Sequence, residues 1–200
     1  MKKSMEPTDI IEFWFGSNLE KDPLSHSKKW FEKDSVFDAE ISELFKPELA
    51  KVKDGDFATW NETGKGSLAY ILLTDQFPRN IFRNQVTSFS FDPYALIAAK
   101  YGVETGLDQE LSWIERSFYY LPFEHSEDLE MQEMSLLHFQ NLQRSIPKMY
   151  LDYGDEIYDY AIKHWEIIKR FGRFPHRNAI LKRESTPEEI EFLKQPDSTF

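Results

Sequence analysis

Two hundred residues, 40% of them hydrophobic and 16% aromatic with 17 Phe and 5 Trp, suffice to bury a core without staples, so disorder is expected only at the ends. With 24 basic against 35 acidic residues, the net charge of -11 excludes general attraction to a phosphate backbone. The absence of Cys excludes disulfides, thiolate catalysis and Cys-ligated zinc. No window approaches the roughly 20 apolar residues of a membrane helix. In the first stretch, MKKSMEPTDIIEFWFG, Lys2 and Lys3 are followed by Glu6, Pro7, Asp9 and Glu12 rather than by an apolar export segment. The expectation is a soluble, cytoplasmic protein.

Along the chain, Thr8 before Asp9 and an apolar run predicts a helix start, and Gly16 its end. Steps of three and four join Phe37, Ile41, Leu44, Phe45, Leu49 and Val52, with a stop at Gly55. The helix holding Leu68, Ile71 and Leu72 is expected to end near Phe77, because Pro78 removes a hydrogen bond and crowds the residue before it. Asp92-Pro93 predicts a cap followed by a proline at the first helical position, with Gly102 as the stop. Leu111, Ile114, Phe118 and Leu121 mark a further helix, stopped at Pro122, and Ser126 before Glu127 and Asp128 predicts another cap. Ile157, Ala161, His164, Ile168 and Phe171 form one apolar stripe that ends near Gly172. Thr186-Pro187-Glu188-Glu189 is a capping box with a proline inside it. Alternation with a period of two is hard to find. The fold expected is all-α, one domain over residues 1–200 with its core at about 8–194, made of about seven to eight helices joined by short loops. Two look-alikes carry nothing. Asn61-Glu62-Thr63 is a glycosylation sequon without a secretory context, and Gly64-Lys65-Gly66-Ser67 lacks the spacing of a phosphate loop.

The chemistry gathers in two echoing segments, DQFPRNIFR at 75–83 and FGRFPHRNAIL at 171–181. Six of the chain's 8 Arg, namely Arg79, Arg83, Arg170, Arg173, Arg177 and Arg183, lie in or beside them, whereas the first 78 residues use only Lys. A guanidinium offers a fixed fork of donors that an ammonium lacks, so this placement points to geometry: carboxylates of the chain itself, or a ligand. Asn80 and Asn178 suit the hydrogen bonding of irregular backbone. Between the segments, the acidic run 121–128 offers Glu124, Glu127 and Asp128 as partners, and Asp75, disfavoured in a last helical turn, calls for a basic one.

His164 lies on an apolar stripe and reads as a buried, hydrogen-bonded residue. His176, in the turn between Pro175 and Arg177, and His125, with Glu124 as its orienting carboxylate, are candidate acids or bases. Metal-ligand spacing such as HExxH is missing, and neither a metal nor a cofactor is called for. Ser126 reads as a cap, since GxSxG is missing.

With Leu121 to Asp128, the two segments look like the bacterial family catalogued as domain of unknown function 924. The likeness extends over Ile10-Ile11-Glu12-Phe13-Trp14-Phe15, Lys29-Trp30-Phe31, Leu73 to Asn80, Phe171 to Asn178 and Ser185 to Glu189. The resemblance implies an all-helical fold of antiparallel helix pairs similar to tetratricopeptide-repeat proteins, and implies no reaction. Two functional readings stand beside a structural one. In the first, Arg79, Asn80, Arg83, Arg173, Arg177, Asn178, Glu127 and Asp128 line a pocket for a small carboxylate or phosphate, with His125, His176 and Glu124 as catalytic groups. In the second, the same arginines clamp an acidic peptide in a repeat-type groove. In the third they fasten helix ends. The sequence carries no signal for an oligomeric state.

Overall fold

The computed structural model describes residues 4–196, 198 and 199, so Lys2 and Lys3 of the N-terminal reading lie outside the described residues. Helix is the regular structure throughout them, in eleven α segments joined by 3₁₀ turns. Three segments, α2 (Ser27–Phe31), α5 (Phe77–Ile81) and α8 (Leu121–Glu124), have five residues or fewer, too short for a periodic signature. The other eight agree with the seven to eight helices expected from apolar spacing together with caps and stops.

The chain divides into two compact units, one over Met1–Arg83 and Thr87–Pro122, the other over Asn84–Val86 and Phe123–Phe200. In the first, α1 (Pro7–Phe15), α3 (Ser35–Lys51), α4 (Gly64–Ile71), α6 (Asp92–Thr105) and α7 (Trp113–Tyr119) surround an aromatic core. Phe45 and Phe77 stand 4.5 Å apart, Phe13 and Phe45 4.9 Å, and Trp30 and Phe118 4.9 Å, spacings that add edge and stacking attraction to apolar burial. The Trp30 indole donates to the Trp14 carbonyl at 2.8 Å, which gives a buried polar group its partner.

Several local expectations shift. Helix α1 begins at Pro7, with Glu6 and Asp9 forming the capping box in place of Thr8. Gly102 does not stop α6, which runs on to Thr105 and ends at Gly106 in the left-handed conformation. The glycine is there for space, since a Cβ would stand 1.6 Å from the Tyr119 hydroxyl oxygen. Pro78 does not end its helix either. Residues 72–76 widen into a π turn, the Phe77 N–H reaches back to the Leu72 carbonyl, and α5 follows directly with Pro78 in its first turn, where no N–H is needed. The Thr74 hydroxyl donates to the Tyr70 carbonyl at 2.7 Å, satisfying an acceptor beside the widened turn.

In the second unit, α9 (Leu129–Ser145) and α10 (Leu151–Phe171) form an antiparallel hairpin, pinned by Gln140 to Tyr158 at 3.1 Å and Gln143 to Asp155 at 2.7 Å. Asp128 caps α9, accepting from the Glu130 and Met131 N–H groups, while Ser126 accepts from the Asp128 N–H. The carboxylate displaces serine because it reaches two free N–H groups of the first turn and adds a charge opposite in sign to the helix end. Helix α10 stops at Gly172 as expected, and α11 (Pro187–Phe192) starts at the Thr186 capping box with Glu189.

Candidate functional site

Each Phe-Pro segment closes on carboxylates of its own unit. In the first, Arg79 lies 3.2 Å from the wholly buried Asp75 and forks onto Asp92, at 3.0 and 3.2 Å. It also donates to the Asp75 carbonyl at 2.5 Å, so one guanidinium ties the π turn to the start of α6. Arg83 forks onto Asp38 at 2.8 and 2.7 Å, and Asn80 donates to the same carboxylate at 2.8 Å. Burial pushes the Asp38 carboxyl up, but the hydrogen bonds of Arg83 and Asn80 outweigh it and hold it below the ordinary carboxylate value.

The second segment repeats the device with other partners. Arg173 forks onto Glu189 at 2.6 and 2.8 Å and reaches the Glu184 carbonyl at 3.0 Å. Chiefly through the Arg173 hydrogen bond, the Glu189 carboxyl is held at about 2. Arg183 forks onto Glu127 at 2.6 and 2.9 Å, and Glu127 also accepts from the Phe174 N–H at 2.9 Å. Asn178 links the two clasps, donating to Ser185 at 3.0 Å and to Glu189 at 3.3 Å while accepting from Arg183 at 2.9 Å. The asparagines therefore serve charged side chains more than irregular backbone. The acidic run supplies Glu127 to Arg183 as its composition suggested. Asp128 is exposed and engaged as the cap.

Arg177 is set differently. It is 7% exposed, donates to the His125 carbonyl at 3.0 Å and lies over the Phe174 ring at 4.3 Å. Around that ring stand two histidines, each with its centroid 5.5 Å away, His164 edge-on and His176 tilted. His125 lies 6.3 Å from His164, and Glu124 Oε1 is 3.5 Å from His164 Nδ1. The structure thus gathers Glu124, His125, His176 and Arg177, which sequence reading had singled out, around His164, which it had placed in the core. His164 is buried as expected, with Nδ1 2.8 Å from the Tyr160 carbonyl. A carbonyl only accepts, so Nδ1 carries the proton and Nε2 the lone pair in the neutral ring.

Burial, reinforced by the charges of His125 and Arg177, holds the His164 imidazole well below its ordinary value. His176 is lowered to about 4, first by burial, then by Arg177, with Glu127 acting the other way. A histidine that stays neutral in the folded protein but takes a proton at its ordinary 6.5 when unfolded favours the unfolded chain as pH falls. The unfolding midpoint is therefore expected to fall between pH 6.5 and about 4, and His176→Asn to make that fall shallower. Equal slopes for the two proteins across that window would show that this imidazole is not held neutral.

Gln132 is a member of the site that sequence reading missed. Fully buried on α9, it donates to the carbonyls of Glu124 at 2.6 Å and Ser126 at 2.7 Å and so fixes the path of the loop carrying His125. Its signal was a polar pair, Gln132 and Ser135, set among the apolar positions Met131, Phe139 and Leu142. Among the described residues, no three His, Asp or Glu side chains are disposed to hold a metal ion, and no helix is long and apolar enough to cross a membrane.

The same architecture occurs in a solved structure, that of a protein of unknown function from Agrobacterium tumefaciens, at 37% identity and a TM-score of 0.75 over 94% of this chain and 96% of that one. No curated protein matches the sequence. Residues 10–197 match the family described as bacterial protein of unknown function (DUF924), nearly the whole chain and both clasped segments with it, and the chain belongs to that family.

Proposed function

We propose that the second unit carries a binding site for a small anionic molecule, a carboxylate or phosphate, with acid–base groups beside it. What supports this is one arrangement: two imidazoles and a guanidinium gathered at a single buried aromatic ring, with a third imidazole and a carboxylate beside one of the two. Arg177 holds the anion, because its fork matches planar oxygens and Phe174 keeps it oriented. His125 and His176, both half-buried, are the groups a ligand meets first, and His176, lowered to about 4, meets it as a neutral imidazole at neutral pH. In this reading Arg79, Arg83, Arg173 and Arg183, with Asn80 and Asn178, hold the frame, and the cytoplasm is where the protein acts.

The test is thermal unfolding of the wild type, Arg177→Lys and Arg177→Gln against phosphate, mono- and dicarboxylates and an acidic peptide. A true ligand at a hundred-fold excess over its Kd adds about 2.7 kcal/mol, roughly 5 to 10 °C in a chain this long. Arg177→Lys retains a reduced shift, since charge survives without the fork, and Arg177→Gln loses it. If no small anion moves the wild type, the reading fails, and a response confined to the peptide points to an interaction module instead.

A further inference from the structure

We infer that the outer face of α6 is a self-association surface, on which a second copy of this chain lies antiparallel about a two-fold axis. The inference stands apart from the anion site and concerns the first unit alone. It begins with how α6 divides its residues. Ala95, Ala98, Ala99 and Gly102 are buried, and the helix packs on α4, with the Tyr119 hydroxyl standing where a side chain on Gly102 would be. Large apolar residues face the other way, since Ile97 is 69% and Tyr101 50% exposed. A surface helix ordinarily turns its large apolar groups to the core, so this distribution is inverted.

Among the described residues, Ile97 and Tyr101 are the one pair of exposed large apolar side chains a single turn apart on one helix. Single exposed apolar residues need no explanation, whereas neighbours one turn apart make a stripe. Pro93, Ile97, Lys100 and Glu104, all exposed, follow one another at steps of four, three and four. That is the spacing of a seam between two helices, and Tyr101 lies beside it.

The charges choose the occupant. Lys100 and Glu104 are one turn apart, yet neither joins an ion pair among the described residues. A two-fold axis crossing α6 at the level of residue 100 sets Ile97 against Tyr101 of the second copy. The same axis leaves Lys100 offset from that copy's Glu104 by about 6 Å along the helix, a distance a lysine side chain spans. Each of these contacts then occurs twice, because an isologous interface returns what it offers. A partner of one charge sign fits this face less well, since its exposed cation and anion balance. The balance also lets two chains of net charge -11 meet here without setting like charges together. One 14-residue helix against its copy is a contact about 21 Å long, in the class below about 1,200 Å² whose complexes are weak and transient.

The experiment is sedimentation equilibrium of the full chain from about 10 µM to about 1 mM, at about 0.15 M salt so that charges beyond about 8 Å are screened. A monomer–dimer equilibrium is expected for the wild type, and Ile97→Glu weakens it at least about ten-fold by placing a charge inside the apolar contact. Val36→Glu adds the same charge at a position on α3 that is 75% exposed, and leaves the equilibrium within about two-fold. The charged pair gives the decisive arm. Lys100→Glu alone sets two acids against each other and Glu104→Lys alone two lysines, so each variant by itself dimerises at least about ten-fold more weakly. An equimolar mixture of the two associates as tightly as the wild type, because both charged contacts in the mixed dimer are Glu to Lys. All the substituted residues are exposed, and unfolding midpoints of dilute samples check that each variant is folded. A wild type that stays monomeric up to about 1 mM overturns the inference. So does a dimer that a folded Ile97→Glu leaves intact, or that Val36→Glu weakens as much. Single charge variants that dimerise like the wild type and gain nothing on mixing overturn it as well.

Discussion

Arg79→Ala is expected to lower stability by about 3 kcal/mol or more, measured by urea unfolding at neutral pH. Asp75 has no exposed surface and the Arg79 side chain is 21% exposed, so the pair is mostly out of water. Removing one member of such a pair leaves the other with its desolvation cost and less compensation, which is why truncation costs far more than the pair contributes in net terms. Arg79 also reaches the Asp75 carbonyl and forks onto Asp92, so the same change frees the π turn from α6. A double substitution, Arg79→Met with Asp75→Asn, recovers much of the loss because it removes the charges together. A loss below about 1 kcal/mol for Arg79→Ala would mean that this arginine is not a clasp, and would return it to the list of groups free to meet a ligand.

Gly66→Ala is expected to cost about 3 kcal/mol, at the upper end of what overpacking does. A Cβ there would stand 2.1 Å from the Trp60 carbonyl oxygen and 2.9 Å from Thr63 Oγ1, and the first of these is backbone that cannot swing aside. The second caps α4, accepting from the Gly66 N–H at 3.1 Å, so relief of the clash disturbs the cap. Gly106→Ala is the control. Nothing lies within 4 Å of its Cβ position, and only the left-handed backbone, φ 82°, resists the change, at about 1 kcal/mol. Comparable losses at the two positions would show that conformation rather than close approach governs Gly66. The likeness of Gly64-Lys65-Gly66-Ser67 to a phosphate loop has its explanation here. The Gly64 N–H is taken by Glu110 at 2.7 Å and Lys65 pairs with Glu115, so internal carboxylates occupy the place where a phosphate loop would hold its anion.

Local signals were read correctly where the competing forces are local. Gly16 and Gly172 end their helices, and Thr186 with Glu189 starts the last one, because caps and left-handed stops involve residues within a single turn. Gly102 and Pro78 misled because each answers to something outside its own turn. The Tyr119 hydroxyl needs the space that Gly102 leaves, and the π turn admits Pro78 without ending the helix. Thr8 and Ser126 lost their capping roles to Glu6 and Asp128, neighbours whose carboxylates do the same work.

The sequence by itself determined an all-helical chain, the position of its long helices, and the presence of six arginines and several acids in two echoing segments, since periodicity, capping and composition are properties of residues close together. Tertiary structure decided which charge meets which. Arg83 finds Asp38 across 45 residues, Arg183 finds Glu127 across 56 and Arg173 finds Glu189 across 16, and nothing in the spacing distinguishes these from other pairings of the same charges. It also decided that His164, legible only as a core histidine, stands at the centre of His125, His176, Arg177 and Glu124. The reason is that a pairwise charge interaction is nearly indifferent to partner at the level of sequence, whereas burial imposes one geometry and makes every other arrangement costly.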